Sequence, residues 1–334
     1  MTTFDIDRIL PPSAAAGLQV SDLLSRIVDG EVTGLGIGPA PTGFHPLDLT
    51  FDGGFLPGEL VLLGGQPAVG KTLSALQWAR NIAANDRPVV FACFEHDEHS
   101  LLGRLVSQEV ALIAPDLNST ELVEVRSQVR SLMLGLSDLD RLVDEQPVIK
   151  AALESLYDNA PEFRLVRASS HWTNPEALTG LVQGELRPGG VLFVDYLQKV
   201  PIPGATSLPE RVFRATEELK ELATTYNITV VALASADATG IGADRLRMDH
   251  LRGSDALAHE ADIAMILNQK STATSPNHLQ FDLTQLQQAK NRVILSIEKN
   301  RRGESDVHLE FKKDFGSYRL DPAGSFVAES LRGD

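Results

Sequence analysis

Eight residues, Gly65-Gln66-Pro67-Ala68-Val69-Gly70-Lys71-Thr72, set two glycines, a lysine and a hydroxyl at the spacing G-x-x-x-x-G-K-[ST]. Gly65 and Gly70 let the backbone turn tightly, so successive amide groups converge on phosphate oxygens. Lys71 would reach the β- and γ-phosphates, and the Thr72 hydroxyl would hold Mg²⁺. The flanks fit as well. Glu59-Leu60-Val61-Leu62-Leu63 is an apolar run suited to a buried strand, and Leu73, Leu76, Ala79 and Ile82 recur at helical spacing. A helix there presents its positive N-terminal end to the phosphates. The chemistry implied is binding of a nucleoside triphosphate.

Further residue groups extend that chemistry. Val191-Leu192-Phe193-Val194-Asp195 describes a buried strand delivering a carboxylate, which would bind Mg²⁺ through its waters. Glu95 ends the run PVVFACFE, expected beside the phosphate-loop strand. A carboxylate there can polarise the water attacking the γ-phosphate. Asp97 and Glu98 suit the first turn of the following helix, with Asp97 as its cap. His96 and His99 stand at the i, i+3 spacing of metal ligands, but no third ligand cluster accompanies them, which favours solvated or nucleotide-adjacent histidines. Lys299, Arg301 and Arg302 lie in EKNRRG at the end of an apolar strand. Such a tip is either a charged surface turn or, in a ring, a cation reaching the next subunit's γ-phosphate.

These groups need a scaffold, and the chain alternates strand-like with helix-like segments, the pattern of a parallel sheet covered by helices. Strands are expected at 88–94, 163–168, 191–196, 228–234 and 263–267, with a late hairpin formed by 292–298 and 307–311. Helices are expected at 97–107, 174–184, 208–226 and 255–260, and residues 108–160 read as helical throughout, without a strand. Residues 1–17, rich in Pro, Ser and Ala, read as a flexible leader. Residues 18–41 read as a short linker helix, striped by Val20, Leu23, Leu24, Ile27 and Val28, and a turn-rich connection. That stripe must dock, on its own core or on a neighbouring subunit. The ATPase domain is then 42–322 and the tail 323–334.

Composition sets bounds. The 334-residue chain is 43% hydrophobic and 22% charged, ordinary for a globular protein, with no apolar run of membrane-spanning length. Cys93 is the single cysteine, so no disulfide forms within the chain, and with no signal peptide in the N-terminal stretch the expectation is a cytoplasmic protein. The net charge of −15 opposes non-specific attraction to a polyanion. Acidic residues outnumber basic ones far more steeply before residue 200 than after it, which places any nucleic-acid contact in the later part.

In order along the chain, these motifs resemble one family, the C-terminal motor domain of DnaB-type replicative helicases within the RecA-like ATPases. The stretch TGFHPLDLTFDGGFLPGELVLLGGQPAVGKT is similar to that family's entry segment and phosphate loop. FACFEHDEHSLLGRL resembles its next motif, with Glu95 in the catalytic glutamate position and Arg104 in that of a recurrent arginine. LFVDYLQ resembles its Asp-Tyr-Leu-Gln signature, placing Asp195 and Gln198. HLRGSDALAHEADIAMIL resembles the segment after the DNA-contacting loop. IEKNRRG resembles the hairpin that supplies a lysine and an arginine finger to the adjacent subunit, here Lys299 and Arg301.

The resemblance implies an α/β fold with a RecA-like core and a mainly parallel central sheet. It also implies ATP and Mg²⁺ as cofactors and a homohexameric ring, with the 18–32 helix docked on a neighbour. It departs at three points. The stretch before residue 42 is too short for the family's helical N-terminal domain, neither zinc ligands nor primase-like segments are read in the sequence, and Ser235 stands where the family usually places a glutamine coupling γ-phosphate to the DNA loops. Lys199 and Arg211 flank one candidate DNA loop, and Arg245, Arg247 and Arg252 the other, with Arg245 and Arg247 interleaved with Asp244 and Asp249. The leading reading is an ATP-driven motor on single-stranded DNA. The alternative is an ATP-switched assembly or regulatory module acting on a protein partner, closer to clock-protein and RadA-like relatives.

Overall fold

The computed structural model describes residues 19–21, 25, 37–274, 283–328 and 330–332. The expected leader and most of the expected linker helix lie outside the described residues. Within them the helix α1 (His45–Thr50) leads into strand β1 (Leu60–Gly65), helix α2 (Lys71–Ala83) and strand β2 (Val89–Cys93). Four helices follow without a strand: α3 (Glu98–Ile113), α4 (Ser119–Met133), α5 (Leu139–Glu145) and α6 (Pro147–Asn159). Alternation then resumes with β3 (Phe163–Arg167), α7 (Pro175–Glu185), β4 (Val191–Asp195), α8 (Leu208–Tyr226) and β5 (Thr229–Ser235). After the short α9 (Ala238–Ile241) come α10 (Ser254–Glu260), β6 (Ile263–Gln269), α11 (Lys270–Ala273) and α12 (Leu283–Lys290). The last elements are β7 (Arg292–Asn300), β8 (Val307–Asp314), β9 (Arg319–Leu320) and β10 (Ser325–Phe326). No helix among the described residues is long and apolar enough to cross a membrane.

The strands form one sheet in the order β10-β8-β7-β6-β1-β5-β4-β2-β3, with β9 beside β8. From β3 to β6 all neighbours are parallel; β7, β8 and β10 continue antiparallel. One expectation is corrected here. The strand ending before Glu95 does not neighbour the phosphate-loop strand, because β4 and β5 lie between β2 and β1. Its run VVFAC is as apolar as its neighbours, and apolar runs carry no information about strand order.

Side-chain alternation explains why β1 is apolar throughout. Val61 and Leu63 enter the core under α1, α2 and α3, while Leu60 and Leu62 enter the opposite core under α7 and α8. Residues 108–160 build a satellite core against α3 from Val106, Val110, Val125, Val129, Leu142 and Ile149. Local signals set the helix starts. Asp97 accepts from Ser100 N, Asn174 from Ala177 N and Ser207 from Glu210 N, each an N-cap, and Asn118 with Glu121 closes a capping box.

The segment after residue 322, expected as a tail, supplies β10 on the sheet edge and the buried Leu331, which bridges to Thr274. At the other end of the chain, the entry segment is fastened by the bridge between Ala40 and Phe55. Gly54 passes so close that a Cβ would lie 2.1 Å from Ala40 O, at a φ of +131°.

An aromatic cluster locks the phosphate-loop helix to its surroundings. The Trp78 ring of α2 meets Phe44 and Phe55 edge-on at 6.0 Å, and Phe44 meets Phe311 of β8 at 5.1 Å. Trp78 is 1% exposed. Trp78→Ala is expected to cost about 3–5 kcal/mol through lost burial and the cavity left behind. Denaturant unfolding would read this as a lowered midpoint at unchanged slope; a loss under about 1 kcal/mol would contradict the assigned packing.

Candidate functional site

The phosphate loop leaves β1 at Gly65 and enters α2 at Lys71 through Gly70, whose φ of +114° is open only to glycine without strain. A side chain at Gly70 would also press on the Phe315 ring, 3.2 Å from the added Cβ. Gly65 is hemmed in likewise, its Cβ position lying 2.9 Å from Leu267 O and from Val69. The Lys71 ammonium donates to Gly65 O at 2.8 Å and Gln66 O at 2.9 Å, so it sits folded over its own loop. Burial lowers its pKa, opposed by the nearby Asp195 and Glu95 carboxylates.

Parallel pairing brings the second half of the site to the same edge. The Thr72 hydroxyl donates to Asp195 Oδ2 at 2.7 Å, although 123 residues separate them. Asp195 is 2% exposed; burial holds its carboxyl above the usual carboxylate range, and the Thr72 hydroxyl works against that rise. Cys93, directly opposite Asp195 in the β2–β4 register, also places its thiol 3.6 Å from Oδ2. Burial and Asp195 push that thiol up to about 12, so it stays protonated and donates. This contact escaped sequence reading, because a lone cysteine in an apolar run looks like core.

Glu95 follows two residues after β2 and is solvent-exposed. It lies close enough to Asp195 and Tyr196 for its charge to act on both, Tyr196 being raised chiefly by burial. The adjacent His96 ring is 3.1 Å from Arg104 Nη2, and burial together with that guanidinium lowers its pKa. His96 is thus engaged by a cation rather than by His99.

Two amides hold the segment after β5, one from the phosphate loop and one from the turn after β4. Gln66 Nε2 donates to Gly240 O at 3.1 Å and Ala243 O at 2.7 Å. Gln198 accepts from Ser235 N and donates to Arg252 O, both at 3.1 Å. Ser235 pairs with Gly65 in the β1–β5 register, so the position expected to couple the two regions does lie beside the loop.

The five candidate DNA residues separate by burial. Lys199 and Arg252 are exposed, and Arg252 and Arg211 both act on the Tyr196 phenol, so these basic groups gather beside Glu95. Arg211 is half-buried, and its Nε has no hydrogen-bond partner among the described residues. Arg245 is turned inward at 5% exposure, with Nη1 on Arg332 O and Nη2 near His308. Arg247 pairs with the buried Glu298 at 2.8 Å. Arg245 therefore presents no charge to a ligand at the surface.

Lys299 and Arg301 lie at the far end of the sheet. Gly65 and Leu295 both pair with Leu267 at the phosphate edge, whereas Asn300 pairs with Ile263 at the other end of β6, a separation of roughly 15 Å along the strand. They cap α10: Lys299 donates to Ala258 O, and Arg301 to His259 O and Asp262 Oδ1. Burial and the neighbouring Arg301 hold the Lys299 ammonium below its usual pKa. Arg302 is tied into the body by Glu59 at 2.7 Å and by the carbonyls of Phe51 and Gly54.

The family model for the DnaB-like helicase C-terminal domain matches residues 39–161 and 182–319. Replicative DNA helicase DnaB of Treponema pallidum is 30% identical over 82% of this chain and 54% of its own length. The chain spans little more than half the length of such curated relatives. Among solved structures, one described as an ATPase domain superposes with a TM-score of 0.68 at 18% identity, covering 91% of this chain and 99% of its own. A DnaB-like replicative helicase, described with its interactions with primase, gives 0.65 at 19%, covering 91% of this chain and 67% of its own. These structural likenesses establish the fold.

The cap that starts α3 directly after Glu95 makes a pH-dependent prediction. Hydrogen bonds from Ser100 lower the Asp97 pKa below its unfolded value. Its stabilisation is therefore fully present above the unfolded pKa and lost as pH falls through the folded one. Asp97→Ala should cost about 1 kcal/mol at neutral pH, the usual worth of such a cap. Denaturant midpoints should show that difference shrink and vanish as pH falls below the ordinary carboxylate range; a difference independent of pH would refute the cap.

Proposed function

Because this chain belongs to the DnaB-like helicase C-terminal domain family, we propose that it is an ATP-hydrolysing ring motor acting on single-stranded DNA. The observation that carries this reading is the meeting of Thr72 and Asp195 at 2.7 Å beside Lys71, at the edge of the sheet where the phosphate loop opens. Two converging oxygens, a hydroxyl and a buried carboxylate, are the donor set a hard cation prefers. Thr72 and Asp195 would hold Mg²⁺, which supplies neutralisation of charge on the β- and γ-phosphate oxygens when bound.

The steps then fall to this chain's own residues. The loop amides of residues 66–72 cradle the phosphates, and Lys71 leaves the carbonyls of Gly65 and Gln66 to bind the β- and γ-oxygens. Glu95 orients the attacking water and accepts its proton. The position of Lys299 and Arg301, across the sheet from their own phosphate loop, supports their acting on a neighbour's nucleotide in a homohexameric ring. There they would give up their hold on α10. Lys199, Arg211 and Arg252 form the DNA-facing set, with Arg247 at its margin. Gln66 and Gln198 transmit the nucleotide state to that set in place of the glutamine absent at Ser235. The regulatory alternative, acting on a protein partner, finds less support, because the relatives found are named as replicative DNA helicases. The compartment proposed is the cytoplasm.

Turnover of ATP should rise several-fold with single-stranded DNA at low salt and lose that rise as salt increases. Reversing Lys199 and Arg252 to Glu should remove the rise while leaving basal turnover, and Glu95→Gln should remove turnover altogether. DNA-indifferent turnover would reject the DNA motor. Arg301→Ala should slow hydrolysis by about 10³-fold or more. Mixing it with Lys71→Ala should restore part of the activity, since each variant complements the other across an interface. No recovery on mixing would place Arg301 outside catalysis.

A further inference from the structure

Three parts of the molecule hold four consecutive residues after α9. Ala243 O accepts from Gln66 Nε2 of the phosphate loop at 2.7 Å. Leu246 is clamped on both sides by the buried Asn268 of β6, whose Oδ1 accepts from Leu246 N at 2.7 Å and whose Nδ2 donates to Leu246 O at 2.9 Å. The two residues between them, Asp244 and Arg245, are held by Arg332. Its guanidinium pairs with the Asp244 carboxylate, and its carbonyl accepts from Arg245 Nη1 at 2.9 Å. Arg332 lies beyond residue 319, where the family match ends.

The segment that carries Arg332, residues 325–328 and 330–332, is a strap with a slender hold. It joins the sheet edge through β10 and through Val327 N, which donates to His308 O at 2.9 Å. Leu331 then bridges to Thr274, and Arg332 N donates to Ala273 O at 2.8 Å. The apolar anchor is small. Leu331 meets Ala273 and Ile294, with Val327 alongside, in a cluster separate from both main cores. Ser325 and Phe326 are exposed, and the pair between Arg332 and Asp244 is wet enough to contribute little by itself. A unit with so few buried contacts opens at a fraction of the free energy of global unfolding. Its departure takes from the inward-turned Arg245 an acceptor and part of its cover. A guanidinium is costly to keep buried once its partners leave, so the side chain turns out to water.

We propose that this strap restrains nucleic-acid binding: seated, it keeps Arg245 inside, and released, it lets Arg245 turn outward and join Lys199, Arg211 and Arg252 as a further phosphate contact. This rests on the reading of the chain as a motor on single-stranded DNA. The strap also answers to the nucleotide site. A displacement of the phosphate loop moves Ala243 through Gln66, while Asn268 keeps Leu246 in place. Asp244 and Arg245 must absorb the difference, and their contacts with Arg332 are the ones strained.

Thr274→Cys/Leu331→Cys tests this in the full chain, because directly paired bridge residues stand at the spacing a disulfide needs. Cys93 is fully buried and stays out of the reaction. Anisotropy of fluorescent oligo(dT) compares the oxidised protein with the reduced one, whose anchor is already trimmed. Oxidation should weaken binding, and added reductant should restore it. Leu331→Asp, which puts a charge into the apolar anchor, should bind several-fold tighter than wild type. Its log affinity should fall more steeply with log salt, by about 0.7 for one added phosphate contact. Adding Arg245→Gln should return affinity and slope to wild-type values. Should Leu331→Asp fail to fold by circular dichroism, the comparison of oxidised with reduced protein decides alone. Equal binding by those two forms overturns the proposal, as does a gain in Leu331→Asp that survives Arg245→Gln. Failure of the DNA reading looks different: no form, wild type included, would then bind oligo(dT), and the strap falls with it.

Discussion

The chemistry of this molecule depends on the parallel pairing of β1, β5 and β4, which holds the phosphate loop and Asp195 at one edge of the sheet. In a parallel sheet every strand's C-terminal end opens on the same side, so each loop leaving it joins one crevice. Thr72, Glu95, Asp195 and Ser235 all leave strands at that side. The 2.7 Å contact between Thr72 and Asp195 is the tightest expression of this arrangement. It exists because the two cores on either face leave β1 and β4 no room to slip by a residue. A slip would turn Val61 and Leu63 to the wrong core and move the loop away from its carboxylate.

The site is built against its own solvation. Asp195 is buried and Lys71 partly so, and that burial pushes each toward its uncharged form. Local partners offset part of this: the loop carbonyls for Lys71, and the Thr72 hydroxyl and Cys93 thiol for Asp195. Such a pair is poised for a ligand carrying several negative charges and a divalent cation, which would satisfy both groups at once. The opposite end of the sheet follows another logic. Lys299 and Arg301 rest on the C-terminal carbonyls of α10, and Arg301 also pairs with Asp262 at 3.1 Å.

Between these ends, the segment after β5 is tied to both the loop and the strand edge by two glutamines. Gln66 grips it from the phosphate side and Gln198 from the strand side. A shift of the loop on nucleotide exchange would pull on Gly240 and Ala243, and hence on Arg252. The Phe315–Tyr318 turn makes a similar connection on the other flank, with Phe315 against Gly70 and Tyr318 O accepting from Gln108 of α3.

Wherever chemistry depended on a local pattern, the sequence determined it: the glycine loop with its strand and helix, the apolar runs of the parallel sheet, the caps at Asp97 and Asn174, and the hairpin of β7 and β8. Those features are settled by neighbours a few residues apart, and periodicity or residue type reports them directly. Strand order was not legible, since β2 and β5 are equally apolar and either could have flanked β1. Nor was the inward turn of Arg245, because an arginine among aspartates reads as a solvated loop until the C-terminal segment packs over it. Cys93 behind Asp195, Phe315 on Gly70 and the two arginines, Arg104 and Arg126, over Tyr318 all join residues from distant stretches. Only the tertiary structure decided those, because which side chains meet across strands and helices is set by packing of the whole chain, and no local pattern records it.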